Sequence, residues 1–256
     1  MKKEYILFID SGVGGLSTLC EVYKVLPANY IYFADNKNAP YGNHTHDKIY
    51  EFVKEIIESV SKKYLVKMVV LACNTATTSS IKRLRSKFQT IKFVGTEPAI
   101  KLAYNKNNKR ILSVVTPATS SQTKYKHLVS SLDAYIKNLP LKTFAKSIED
   151  YYSKKQIWAN FLMQKNIYTI AQKAKNFDCV VLGCTHYILA KDKICKIANL
   201  SAFDGNFGVS KQVLFWHAKI YNNFEINPHI KFLVSDKNKS TSQNYKKIFY
   251  EILAKV

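Results

Sequence analysis

Short apolar runs of strand length recur along this chain. Each is closed by a knot of small polar residues and followed by a segment whose apolar positions fall three and four apart. The runs at Tyr5–Ile9, Tyr30–Ala34, Val69–Ala72, Ile91–Val94, Arg110–Val115, Val180–Leu182 and Phe232–Val234 predict strands, with a short strand and turn at 203–205. Most are apolar at successive rather than alternate positions, as strands buried on both faces of a parallel sheet require. Helices are predicted over Leu16–Val25, Ile49–Tyr64, Ser79–Phe88, Val209–Tyr221 and Asn244–Leu253, with further ones opening at Pro98 and following Ser121. The segment from Ile49 is the clearest, with Ile49, Phe52, Val53, Ile56, Ile57 and Val60 on one stripe. Strand and helix alternate throughout, which predicts an α/β fold.

One stretch, Val69–Ile81 (VVLACNTATTSSI), passes abruptly from apolar residues to a thiol, an amide and hydroxyls. In open α/β sheets ligands bind at the carboxyl ends of strands, where the next helix directs its unpaired N–H groups. Cys73, Asn74, Thr75, Thr77 and Thr78 stand at such an end. The grammar repeats at Val180–Ile188 (VVLGCTHYI), with Cys184 placed 111 residues after Cys73 and followed by Thr185 and His186. The preceding strands also compare, ILFIDSG with LSVVTPA, a match that aligns Asp10 with Thr116; the intervals from these to the cysteines are 63 and 68 residues. This recurrence predicts an internal duplication: two similar domains with mainly parallel sheets flanked by helices. The first comprises residues 1–96 plus 210–256 and carries Asp10 and Cys73; the second comprises residues 97–209 and carries Thr116, Glu149 and Cys184. The glycines after Asp10 do not match the dinucleotide or P-loop fingerprints, and predict a tight turn beside a small ligand.

Composition narrows the function classes. A 256-residue chain with 47% hydrophobic content is long enough for a substantial core. The formal net charge of +21 raises a nucleic-acid or anionic-membrane partner, but the 39 Lys and Arg form no block of five and no nucleic-acid motif, so no specific nucleic-acid partner is expected. Five cysteines without C-x-x-C spacing suit a reducing compartment. The opening MKKEYILFID is too short in apolar residues for a signal peptide, and no run approaches the ~18 apolar residues of a spanning helix. A cytoplasmic protein with no membrane partner is expected. His44, His46 and Asp47 read as a solvated loop rather than a metal site, and His127, His217 and His229 as ordinary residues; Cys20, Cys179 and Cys195 read as packing. No metal or cofactor is expected.

A thiolate accepts a proton near neutral pH and the resulting thiol can donate one. Two thiols on opposite faces of one carbon can therefore racemise or epimerise it without a cofactor. Each direction needs one thiolate and one thiol, an asymmetry that neighbours such as Asp10 and His186 can set.

The stretches FIDSGVGGLSTL, YFADNKNAPYG, VVLACNTAT, VGTEPAIK, VVTPATSSQTKY and VLGCTHY, in order from Ile6 to Asp204, resemble the glutamate racemases of the cofactor-independent aspartate/glutamate racemase superfamily. The resemblance implies two α/β domains with the active site between them, the first closed by the C-terminal segment, and interconversion of L- and D-glutamate to supply peptidoglycan. A homodimer is expected on the same ground. Residue by residue it implies that Cys73 removes the α-proton of D-glutamate and Cys184 that of L-glutamate, assisted by Asp10 and His186. Glu149 falls where the family has a further catalytic glutamate, with Lys146 and Ser147 in place of the usual apolar stretch. Ser11, Pro40, Tyr41, Gly42, Asn74, Thr75, Thr116, Thr119 and Thr185 match positions that hold the substrate. Other possibilities are an aspartate racemase or another relative within the superfamily, and a basic nucleic-acid-binding protein on a racemase scaffold.

Overall fold

The computed structural model describes residues 3–154, 156–221 and 228–255. The chain divides into two compact units, Met1–Thr96 with Asn206–Val256, and Glu97–Gly205.

The first unit is a five-stranded sheet of β1 (Glu4–Asp10), β2 (Tyr30–Ala34), β3 (Leu65–Leu71), β4 (Lys92–Gly95) and β9 (Ile230–Val234), ordered β4-β3-β1-β2-β9 with every pairing parallel. Both faces are covered. Tyr5, Leu7, Ile9, Ile31, Val69 and Leu71 pack with Ile49, Val53, Ile57 and Val60 of α2 (His46–Ser61) and Ala76, Ile81 and Leu84 of α3 (Asn74–Lys87). On the other face lie α1 (Gly15–Tyr23), α11 (Asn206–Ile220) and α12 (Lys239–Leu253). Edge-on ring contacts join Phe8 to Tyr30 and Tyr23 to Phe249 there.

The second unit holds β5 (Arg110–Val115), β6 (Tyr135–Pro140), β7 (Cys179–Leu182) and β8 (Ser201–Phe203), ordered β6-β5-β7-β8 and again all parallel. Leu112, Val114, Val180 and Leu182 pack on α7 (Phe144–Lys154) and α8 (Ile157–Ala174). Ile111, Val115, Cys179 and Val181 pack on α4 (Ile100–Asn105) and on Tyr125 of α6 (Thr123–Ser130). The remaining helices are α5 (Pro117–Ser121), α9 (Thr185–Ile188) and α10 (Lys191–Ala198).

With β1, β2, β3 and β4 matched to β5, β6, β7 and β8, the strand order is the same in both units. The ladders also fix the register. Ile9 pairs with Leu71 as Val114 pairs with Leu182. The Ala72 N–H donates to Ile9 O at 2.9 Å as Gly183 N–H donates to Val114 O at 2.8 Å, and Asp35 N–H donates to Asp10 O as Leu141 N–H donates to Val115 O. Cys73 and Cys184 are therefore equivalent, but Asp10 is the counterpart of Val115, and Thr116 that of Ser11. The match of Asp10 to Thr116 is one residue out because β1, unlike β5, keeps a polar side chain at its last ladder position.

Several element boundaries differ from expectation. Helix α3 starts at Asn74 rather than near Ser79, so the polar stretch is its first turn. Its hydroxyls bond back to carbonyls, Thr77 to Leu71 at 3.1 Å, Thr78 to Asn74 at 3.1 Å and Ser80 to Ala76 at 2.5 Å, which lets a hydroxyl-rich segment remain helical. Helices α11 and α12 likewise begin early, α12 with Asn238 accepting from Ser240 N as its cap. Pro98 precedes α4 in a loop instead of opening it.

Candidate active site

Both thiols occupy the same backbone position. Cys73 is the N-cap residue of α3 (φ −117°, ψ 125°) and Cys184 that of α9 (φ −148°, ψ 136°), each in extended conformation and separated from its strand by one residue. An N-cap side chain ordinarily accepts from the first turn; neither cysteine does so. Both are buried with a thin exposed margin, 8% for Cys73 and 9% for Cys184. Burial raises the thiols of Cys20 and Cys179 to about 12, and raises Cys195 as well, which suppresses thiolate formation there.

Around Cys73 the first unit gathers acids and neutral donors. Asp10 is fully buried and accepts from Gly12 N at 2.7 Å, so the carboxylate also pins the turn that follows its own strand. Gly15 is required at the start of α1, since a Cβ there would lie 2.8 Å from both Ala72 Cβ and Asp10 Cβ. The loop after β2 is fastened by Asp35, itself buried: Tyr41 donates to its Oδ2 at 2.7 Å, and Asn38 Nδ2 bonds both its oxygens at 3.0 Å. Tyr41 is buried beside Cys73 in the same apolar cluster, whereas Pro40 and Gly42 are exposed. Burial first, then Asp35, then the charges of Cys73 and Asp10 hold the Tyr41 hydroxyl protonated well above its usual range. Asn74 and Thr75 form the first turn of α3, and Ser11 is buried one residue beyond Asp10.

Cys184 has a different surrounding. His186 Nδ1 lies 3.9 Å from its Sγ, and His186 Nε2 lies 2.8 Å from Glu149 Oε2. Burial opposes a charge on this imidazole, but hydrogen bonds to Cys184 and Glu149 and their charges outweigh it, and the pKa rises well above 6.5. The structure therefore brings Glu149, from α7, to the histidine two residues beyond the thiol. Thr185 is buried in the first turn of α9. Thr116 caps α5, its Oγ1 accepting from Thr119 N at 3.1 Å and lying 3.0 Å from Thr119 Oγ1.

Asp35 and Asn38, which hold the Tyr41 loop, were not singled out in the sequence. The available signal was Asp35 itself, an acid immediately after β2 just as Asp10 ends β1. Among the described residues no group of three or more His, Cys, Asp or Glu is placed to hold a metal ion, and no helix is long and apolar enough to cross a membrane.

Register-equivalent thiols at two strand ends, one in the cluster that holds Tyr41 and one beside the His186–Glu149 pair, mark the site of an α/β isomerase. Comparison with known proteins places it further. No family-wide sequence profile matches the chain. It is 38% identical over 226 residues to the glutamate racemase of Clostridium novyi (strain NT), covering 86% of this chain and 85% of that protein. Escherichia coli glutamate racemase, solved with L-glutamate and the activator UDP-MurNAc-ala, superposes with a TM-score of 0.83 at 24% identity, covering 98% of this chain and 96% of that one. The Francisella tularensis glutamate racemase, solved with D-glutamate, gives 0.73 at 24% identity over 99% and 94%. The chain belongs to the glutamate racemase family, and is an amino-acid racemase.

Proposed function

We propose that this enzyme interconverts L- and D-glutamate by a two-thiol mechanism. The observation that carries the reading is the equivalence of Cys73 and Cys184, each at an N-cap position that the thiol does not use for capping. In one direction the Cys73 thiolate takes the α-proton of D-glutamate, and the Cys184 thiol delivers its own proton to the opposite face of the planar carbanion, giving L-glutamate. Cys73 is left as thiol and Cys184 as thiolate, the state that works in reverse. Asp10 assists Cys73. His186, held by Glu149, holds or returns the proton of Cys184. Ser11, Pro40, Tyr41, Gly42, Asn74, Thr75, Thr116, Thr119 and Thr185 bind the substrate through hydroxyl, amide and backbone groups, which can satisfy carboxylates at strand ends without a fixed cation. Membership of the family supports the wider reading of a cytoplasmic homodimer supplying D-glutamate for peptidoglycan.

Circular dichroism tests this directly. Purified enzyme in reducing buffer is expected to bring the signals of L-glutamate and of D-glutamate to zero and to leave L-aspartate unchanged. Loss of the L-aspartate signal alone would assign the site to aspartate instead, and no decay with any of the three would overturn the proposal.

A further inference from the structure

Helix α8 is apolar on two sides. Its inner face, Ala159, Met163, Ile167, Ile170 and Ala174, is buried against the second sheet. Its outer face begins with Ile157, Trp158, Phe161 and Leu162, which are 86%, 76%, 59% and 38% exposed, and continues to Tyr168 at 58%. Trp158 and Phe161 meet edge-on with ring centroids 6.1 Å apart, which makes these two rings a joined aromatic surface. A helix that is apolar all round is ordinarily covered on all sides, and an exposed patch of this kind marks an interaction surface.

Charge selects what covers it. Residues 151–177 contain five lysines and no carboxylate. Lys165 is exposed among the outer residues, and Lys173 and Lys175 are exposed at the end of the helix, while Lys154 just before it is paired with Asp150 at 3.1 Å. The chain as a whole carries +21. Two copies brought together through this face would oppose lysine to lysine. Aromatic and aliphatic side chains on a helix that carries lysines and no carboxylate of its own instead match the boundary between headgroups and acyl chains of an anionic bilayer, where lysine stems lie along the apolar layer and their ammonium groups reach the phosphates.

We propose that the outer face of α8 docks the enzyme peripherally on anionic lipid surfaces, with Trp158 and Phe161 entering the interface. This is a surface contact and needs no spanning helix. It does not depend on the choice of substrate.

Vesicle flotation of the full chain tests it. Binding is expected to phosphatidylcholine vesicles containing phosphatidylglycerol and not to phosphatidylcholine alone, falling as salt is raised. The double variant Trp158→Ser, Phe161→Ser should lose at least about tenfold in vesicle affinity while keeping racemase turnover in free solution. If that variant folds poorly by circular dichroism, Lys165→Glu with Lys173→Glu should show a loss of similar size. Absence of flotation with anionic vesicles overturns the proposal, as does undiminished binding by a folded variant. Light scattering gives the competing outcome: a parent dimer that ignores vesicles and becomes monomeric in the double variant would assign the face to a second copy.

Discussion

The two strand ends share a backbone and differ in what surrounds the sulfur. Ladder register, N-cap conformation and thiol exposure coincide at Cys73 and Cys184. The position two residues on is Thr75 in one unit and His186 in the other, and the last ladder position of the preceding strand is Asp10 in one and Val115 in the other. The fold thus presents the thiol twice with different neighbours, a strand-borne carboxylate in one unit and in the other a helix-borne imidazole hydrogen-bonded to Glu149. A two-base reaction needs this inequality, because at any moment one sulfur must be charged and the other protonated.

The comparison breaks most sharply if the thiols prove unequal in importance. Cys73→Ala and Cys184→Ala are each expected to lower turnover by at least about 10³-fold with an unchanged far-ultraviolet spectrum, since each removes an acid–base group from both directions. Cys→Ser should be nearly as damaging, because a hydroxyl is a far weaker acid than a thiol. Full activity in either alanine variant would sink the two-thiol mechanism.

Next in size is the imidazole route, which only the second unit possesses. Glu149→Gln removes a charge-assisted hydrogen bond worth ~1.5–3 kcal/mol, so turnover should fall roughly 10- to 100-fold. Because Glu149 acts through His186, its signature is spectroscopic: His186 should titrate above 6.5 in the parent and lower in the variant by NMR. The stability effect has a sign. A histidine whose folded pKa is raised contributes stability that is complete below its unfolded value of 6.5 and is lost as pH rises through the folded value. Glu149→Gln should therefore destabilise most between the carboxylate range and pH 6.5, with the deficit shrinking on the alkaline side. A deficit that grows with pH would show that His186 is neutral in the fold.

Buried parallel strands announce themselves by continuous apolar runs, which is why β1, β2, β3, β5 and β7 were legible from sequence, and why the cysteines that close two of them stood out. Strand β6 did not: it is an edge strand, YIKNLP, with two half-buried aliphatics, Ile136 and Leu139, and no apolar run. Helix α8 was also missed, because aliphatic and aromatic residues on both faces erase the one-sided stripe on which the reading of α2 relied. At the site, the cysteines, Asp10 and His186 could be read locally, but the Glu149–His186 and Asp35–Tyr41 pairs join residues whose hydrogen bonds only the fold or a loop closes.

The residue before each thiol sharpens the structural half of the comparison. The first unit has Ala72 and the second Gly183, although both donate to the same equivalent carbonyl. A Cβ on Gly183 would lie 2.6 Å from Val115 Cγ1 and 3.3 Å from Val114 O, so Gly183→Ala must displace the Val115 side chain at a cost of ~1–3 kcal/mol. Ala72→Gly leaves no clash and should cost less, ~0.5–1 kcal/mol. Urea denaturation of the two variants reads the difference, and the reverse order would mean that the second site accepts a Cβ as readily as the first does.

The smallest effect concerns the pair that the register newly equates, Ser11 and Thr116. Thr116 accepts from Thr119 N and so closes the first turn of α5, a service worth about 1 kcal/mol. Ser11 lies before α1, whose N-cap is Gly14, and so does not cap that helix. If both hydroxyls also bind substrate, Thr116→Ala should lower stability by about 1 kcal/mol and raise KM, while Ser11→Ala raises KM and leaves the denaturation midpoint within about 0.5 kcal/mol of the parent. Thr116→Ser restores the cap acceptor and should recover stability and KM together. A rise in KM that persists in Thr116→Ser would mean that the methyl group, not the hydroxyl, faces the substrate, and the equivalence of the two positions would then end at the backbone.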